Sequence, residues 1–157
     1  MQDRDLRRFD CINARLLDLV KVKAEKIEDI RFVRCGYEKP YAFPEKTEPF
    51  HGVWGGNKDE HYWFGFSIDT PLVRENERVN LVVNTGLDGW DVDNPQFILY
   101  VNGEIKHGLD IHHKEVELDP NTHYEIWLYG YTAAIGHALT LTAEISVLDE
   151  RIYRLQR

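Results

Sequence analysis

No run of about 18 apolar residues occurs in this 157-residue sequence, so no segment is long and apolar enough to cross a bilayer as a helix. The first ten residues, MQDRDLRRFD, hold no apolar stretch and no small-residue cleavage site. They do not read as a secretory signal, and a cytoplasmic protein is expected. Cysteine occurs twice, at Cys11 and Cys35, in different predicted elements, so reduced thiols are expected rather than a disulfide. Basic residues are outnumbered 19 to 27, a net charge of −8. That balance argues against a nucleic-acid partner, because phosphate binding needs a basic face. No nucleophile elbow, phosphate loop or His-Glu-x-x-His pattern is present, and there is no internal repeat or low-complexity segment.

What the chain has in quantity is apolar and aromatic surface. Apolar residues make up 43% and aromatics 12%, which excludes a disordered chain and suits a sheet protein, where rings fit the pleated surface. The length fits one domain with a sizeable core. Leu6, Phe9, Ile12, Leu16 and Val20 recur every three or four residues and predict an amphipathic helix over 5–24. Its apolar face must be buried, either on this domain's own sheet or on a partner subunit or neighbouring domain. Residues 27–38 predict a strand. Residues 39–56 predict an irregular loop, because Pro40, Pro44 and Pro49 forbid long regular structure. Phe43, Phe50 and Trp54 give that loop aromatic anchors, as expected of a loop that wraps a sandwich edge.

Period-two alternation then takes over. Tyr62, Phe64, Phe66 and Ile68 share one face, and so do Val79, Leu81 and Val83. The nearly all-apolar run from Phe97 predicts a strand in the middle of a sheet. Asn102-Gly103 predicts a two-residue hairpin turn, since both tolerate positive φ. Val116 and Leu118 alternate with glutamates, and Asp119-Pro120-Asn121 is a turn. Tyr124, Ile126 and Leu128 alternate with His123, Glu125, Trp127 and Tyr129. The alternation from Leu139 to Val147 reads as one strand. The segment 149–157 is charged and open to a helix. Short alternating strands separated by turns predict a mainly β protein: an antiparallel β-sandwich, jelly-roll-like, preceded by one helix.

Three sets of residues are candidates for chemistry. Asp110, His112 and His113 have zinc-ligand character. Adjacent residues on an extended strand point to opposite faces, however, so the better reading is structural, with Asp110 accepting backbone hydrogen bonds and His113 donating into the same network. Asp88, Asp91, Asp93 and Asn94 are hard oxygen donors, but their spacing lacks the pattern of a calcium loop, and turn chemistry explains them. Among the aromatics, Trp54, Trp63, Trp90, Trp127, Tyr129 and Tyr131, exposed rings stack on sugars, although core packing is the usual fate of a strand Trp. Trp54, Trp63, Trp127 and Tyr129 are the candidate glycan or partner contacts. Trp127 and Tyr129, opposite Ile126 and Leu128, are expected to meet a second layer, another domain or a partner. For catalysis, nothing singles out a carboxylate pair.

HGVWGG (51–56), the Tyr62–Phe64 triplet, VNTGLDGWDVDNPQFILYVNGEIKHGLDIHHKEVEL (83–118) and HYEIWLYGY (123–131) together resemble the N-terminal domain of glycoside hydrolase family 38 α-mannosidases. The resemblance implies a galactose-binding-like β-sandwich placed before a catalytic domain. It further implies that a zinc ion, an early His-x-Asp motif and an Asp nucleophile lie in that later domain. No position here matches the catalytic machinery; His107-Gly108-Leu109-Asp110 has the wrong spacing. The expectation is therefore a helix over 1–25, a sandwich over 26–148 and, over 149–157, the start of a linker to a catalytic domain. No cofactor is expected in this chain. The expected partners are that catalytic domain, a homo-oligomer and mannose-containing glycans. An independent carbohydrate-binding module is the alternative.

Overall fold

The computed structural model of the chain describes residues 3–36, 42–87 and 95–156. Helix α1 (Asp3–Val20) is followed by strands β1 (Lys21–Lys26), β2 (Arg31–Cys35), β3 (Glu48–Pro49), β4 (Val53–Gly55), β5 (His61–Asp69) and β6 (Glu77–Asn84). Then come β7 (Gln96–Val101), β8 (Glu104–Leu109), β9 (Glu115–Leu118), β10 (His123–Tyr131), β11 (Ala138–Thr140), β12 (Thr142–Asp149) and helix α2 (Glu150–Leu155).

The strands form a four-stranded sheet in the order β1-β12-β6-β9 and a six-stranded sheet in the order β3-β2-β5-β10-β7-β8, with β11 and β4 pairing separately. Every pairing is antiparallel. The connectivity is that of a jelly roll. From β1 the chain crosses to β5, returns to β6, crosses to the β7–β8 hairpin, returns to β9, crosses to β10 and ends on β12. β2 and β3 extend the larger sheet beyond that eight-stranded frame. The core lies between the sheets: Val79, Leu81, Val83, Val116, Ala143 and Ile145 from one meet Phe64, Phe66, Phe97, Leu99, Ile126 and Leu128 from the other. The alternation of β5, β6 and β10 is what supplies these inward rows.

The β7–β8 hairpin turns at Asn102 (φ 50°) and Gly103 (φ 86°), the pair of positive angles that a two-residue hairpin demands. The turn is also tied sideways. Asn102 N–H donates to the Glu125 carbonyl at 2.9 Å, and Asn102 Oδ1 accepts from Glu125 N–H at 2.9 Å.

Three boundaries differ from the sequence reading. The helix stops at Val20 rather than 24, because KVKAEK pairs along β12 and tertiary pairing overrides helix periodicity. As an exposed, lysine-rich edge strand, β1 also resists further pairing. The proline-rich segment holds two short strands, β3 and β4, because Pro49 sits at a sheet edge where no amide is required. The alternation from Leu139 to Val147 is not one strand: β11 pairs with β4, then Leu141 N–H bonds to Gly52 O and the chain enters the four-stranded sheet as β12, beside β6. At the C-terminal end the charged segment is helical, with the Asp149 carboxylate accepting from the Arg151 and Ile152 amides as N-cap.

Candidate functional site

The outer face of the six-stranded sheet carries an aromatic cluster. In register, Trp127 stands opposite Gly65 on β5 and Tyr100 on β7, while Tyr129 stands opposite Trp63. A Cβ at Gly65 would lie 2.5 Å from the Trp127 ring, so the indole lies flat on the glycine backbone. Trp63 meets Trp127 edge-on (6.0 Å between centroids, 86°) and Tyr129 at 5.0 Å.

This floor is roofed by the chain itself. Phe43 stacks on Trp127 at 5.6 Å with 14° between the planes, and meets Trp63 and Tyr100 edge-on at 5.4 Å each. Such pairs contribute about 0.5–1.5 kcal/mol each beyond area burial. Trp63 and Tyr100 are only 4% exposed although they face away from the core, and Trp127 and Tyr129 are half-buried. Seven residues on, Phe50 is buried between the sheets. The segment thus passes from the outer face, around the β2–β3 edge, to the interior.

The end of this face is polar. The Tyr129 hydroxyl lies 2.8 Å from His61 Nδ1, His61 stacks on Tyr131 at 4.8 Å, and Tyr131 O–H donates to Asp59 Oδ1 at 2.5 Å. The Asp59 carboxylate holds the Tyr131 hydroxyl above its ordinary pKa.

Trp54 does not belong with the other rings. It is 2% exposed and packs edge-on against Tyr62 and Phe64 at 5.4 and 5.2 Å on the core side. Its indole N–H donates to Thr140 O at 3.3 Å. Trp54 is thus a core residue and not a glycan or partner contact; β4 turns it inward, which composition and spacing did not reveal.

The Asp110 loop is organised around one oxygen. Asp110 Oδ1 accepts from the amides of His112 (2.8 Å) and His113 (2.7 Å) and lies 3.0 Å from His113 Nδ1, while Asp110 N–H donates to His113 O. Partial burial opposes ionisation of Asp110. The amides of His113 and His112 together outweigh it and hold the carboxyl below its ordinary range. Ile111 between them is buried, so the loop is pinned from both sides. Among the described residues, no group of three His, Cys, Asp or Glu side chains is placed to hold a metal ion. Asp88, Asp91, Asp93, Asn94 and Trp90 lie outside the described residues.

Two polar clusters escaped the sequence reading. Glu60 is 4% exposed, next to the core. Its carboxylate accepts from the Tyr62 hydroxyl and from Asn57 Nδ2 at 2.7 Å, and lies 3.8 Å from Arg34. Thr132, also buried, accepts from Glu60 N–H and donates to Asn57 O. The Tyr62 hydrogen bond keeps Glu60 below its ordinary pKa; burial, with the carboxylate beside it, pushes Tyr62 up to about 12. The second cluster is on the surface. His123 lies between Asp69 (Nδ1, 2.7 Å) and Glu125 (Nε2, 2.8 Å), and Ser67 donates to Glu125 at 2.7 Å. Glu125 and then Asp69 raise the pKa of His123. The pairing of β5 with β10 sets these partners opposite each other, which sequence spacing alone does not show.

Helix α1 is the other conspicuous surface. Val20 is buried and Leu16 half-buried, whereas Leu6, Phe9, Ile12, Leu17 and Leu19 are each at least 45% exposed. Asn13 and Leu17 flank a crevice shared with Tyr153 and Gln156 at the end of α2. Exposed Leu155 adds to the apolar surface of the helical end.

No protein-family model matches the chain, and no curated protein matches it.

Proposed function

We propose that this chain is a non-catalytic β-sandwich module that docks through α1 onto a larger folded domain, and that it serves as the N-terminal domain of a cytoplasmic, retaining α-mannosidase. The observation that carries the docking reading is the helix. An amphipathic helix stabilises a fold by burying its apolar stripe, yet Phe9 is 59% and Leu17 61% exposed here. Contiguous apolar surface of this kind marks an interaction site. The aromatic shelf, by contrast, is filled by the chain's own Phe43, which weighs against a free-standing carbohydrate-binding module.

The mannosidase assignment rests on the segments 51–56, 62–64, 83–118 and 123–131. On this reading the zinc ion and the nucleophile belong to the catalytic domain, and the role of this chain is to support that domain and its oligomer contacts. Two measurements test it. The 157-residue chain incubated with an aryl α-mannoside is expected to show no turnover, and hydrolysis above the buffer rate contradicts the non-catalytic role. The parent reading frame is expected to carry a downstream His-x-Asp motif and a barrel-forming segment; a frame that lacks both contradicts the mannosidase assignment.

A further inference from the structure

The exposed side of α1 carries a charge pattern as well as an apolar one. Asn13 and Leu17 face the crevice shared with α2. On the side away from it, Phe9, Ile12 and Leu19 are exposed, and with half-buried Leu16 they repeat at alternating steps of three and four residues. That repeat is the narrow seam of a two-helix contact. Arg8 and Arg15 follow the outer border of the same seam. Around α2 the chain pairs its arginines: Arg78 with Glu117 and Glu150, Arg151 with Asp149, and Arg154 with Glu150. Arg8 and Arg15 are exposed and have no carboxylate partner among the described residues, in a chain with 27 acidic and 19 basic side chains.

We propose that α1 receives an amphipathic helix whose apolar stripe packs on Phe9, Ile12 and Leu19 and whose border sets Asp or Glu beside Arg8 and Arg15. The proposal rests on the docking reading and adds the shape and charge of the partner surface. The matching repeat buries the stripe, and carboxylates at the border select the partner over neutral or basic helices. A second copy of this chain does not supply that border. Two α1 helices packed antiparallel bring Arg8 against Arg15 of the other copy. Packed parallel, they bring Arg8 against Asn13, a neutral amide, and Arg15 against Val20, which is already buried. An anionic bilayer fits no better, because the net charge of −8 opposes its approach.

The probes are two labelled three-heptad peptides with leucine along the same seam, one flanked by glutamate and the other by lysine. Fluorescence anisotropy follows their titration with the full 157-residue chain, and circular dichroism checks that each variant is folded. The acidic peptide is expected to bind at least about tenfold more tightly than the basic one. The overall negative charge of the chain favours the opposite order, so this preference has to come from the local arginine border. Arg8→Glu/Arg15→Glu is expected to reverse the order, and Phe9→Glu/Ile12→Glu to abolish binding of the acidic peptide. Equal binding of the two peptides, or a preference that Arg8→Glu/Arg15→Glu leaves unmoved, overturns the acidic border; if Phe9→Glu/Ile12→Glu still abolishes binding, the docking reading survives. Binding of neither peptide, dimerisation of the chain that Phe9→Glu/Ile12→Glu abolishes, or tighter binding to phosphatidylserine vesicles than to the acidic peptide also overturns the proposal.

Discussion

On the inner face of the six-stranded sheet, Phe64, Leu99, Ile126 and Leu128 are sealed by an entire opposing sheet. On the outer face, Trp63, Tyr100 and Trp127 each meet Phe43, a ring from a connecting segment. The first cover is a whole sheet, and the second is a set of ring contacts that leaves Trp127 half-buried. Aromatic richness alone does not separate these cases. What separates them is which part of the chain supplies the cover, and how that part is otherwise held.

The comparison can be broken from either side. The largest effect is expected at Leu128, which has no exposed surface and faces the opposing sheet. Leu128→Ala should cost about 2–5 kcal/mol in chemical denaturation, through lost burial and a residual cavity. A value below that range would mean that the sandwich interior is loosely packed. The inner face also carries a charge at its margin. Tyr62→Phe removes the hydroxyl donor to buried Glu60 and should cost about 1.5–3 kcal/mol, without moving the Trp fluorescence that reports the outer face. Because Glu60 is held below its ordinary pKa, its contribution is present above that value and is lost as pH falls through the lowered one.

On the outer side, Gly65→Ala drives a methyl into the Trp127 ring. It should cost about 1–3 kcal/mol and shift Trp emission, because the indole can no longer lie on the sheet. An unshifted spectrum would remove the flat floor from the description. The smallest effect is expected at His123, which lies on the surface. Its pKa is raised by Glu125 and Asp69, so the folded chain binds the proton more tightly than the unfolded chain. The stabilisation is complete below the ordinary value of 6.5 and disappears as pH rises through the raised value. The melting-temperature difference between wild type and His123→Ala should therefore be greatest at mildly acidic pH and vanish at alkaline pH; a constant difference would assign the residue a packing role.

The sandwich was legible wherever period two and turn chemistry agreed, as in Tyr62–Ile68, Val79–Val83, Tyr124–Leu128 and the Asn102-Gly103 hairpin. Legibility failed where non-local pairing decides the outcome. KVKAEK continues a helical pattern as well as a strand pattern, and only β12 makes it a strand. Leu141 continues an unbroken alternation, and only the change of pairing partner from β4 to β6 divides it. At the candidate site, the sequence shows that Trp127 and Tyr129 face away from Ile126 and Leu128. It does not show that Phe43 covers Trp127, because that contact joins a loop to a strand more than eighty residues later. Glu60 was hidden for the same reason: Tyr62 and Asn57 are near it in sequence, but Thr132, which fixes its backbone, is brought in by the fold.

On the proposed reading, the helical end and not the sheet is the open docking surface. Phe9→Glu/Leu17→Glu tests it most directly when made both in this chain and in the proposed parent α-mannosidase and followed by calorimetry. Exposed substitutions cost about 0.5 kcal/mol or less in the isolated module, so its melting temperature should hardly move. In the proposed parent, the module and the proposed catalytic domain are expected to melt in one transition in wild type and in two in the variant. A single unchanged transition in the parent variant would contradict docking through α1.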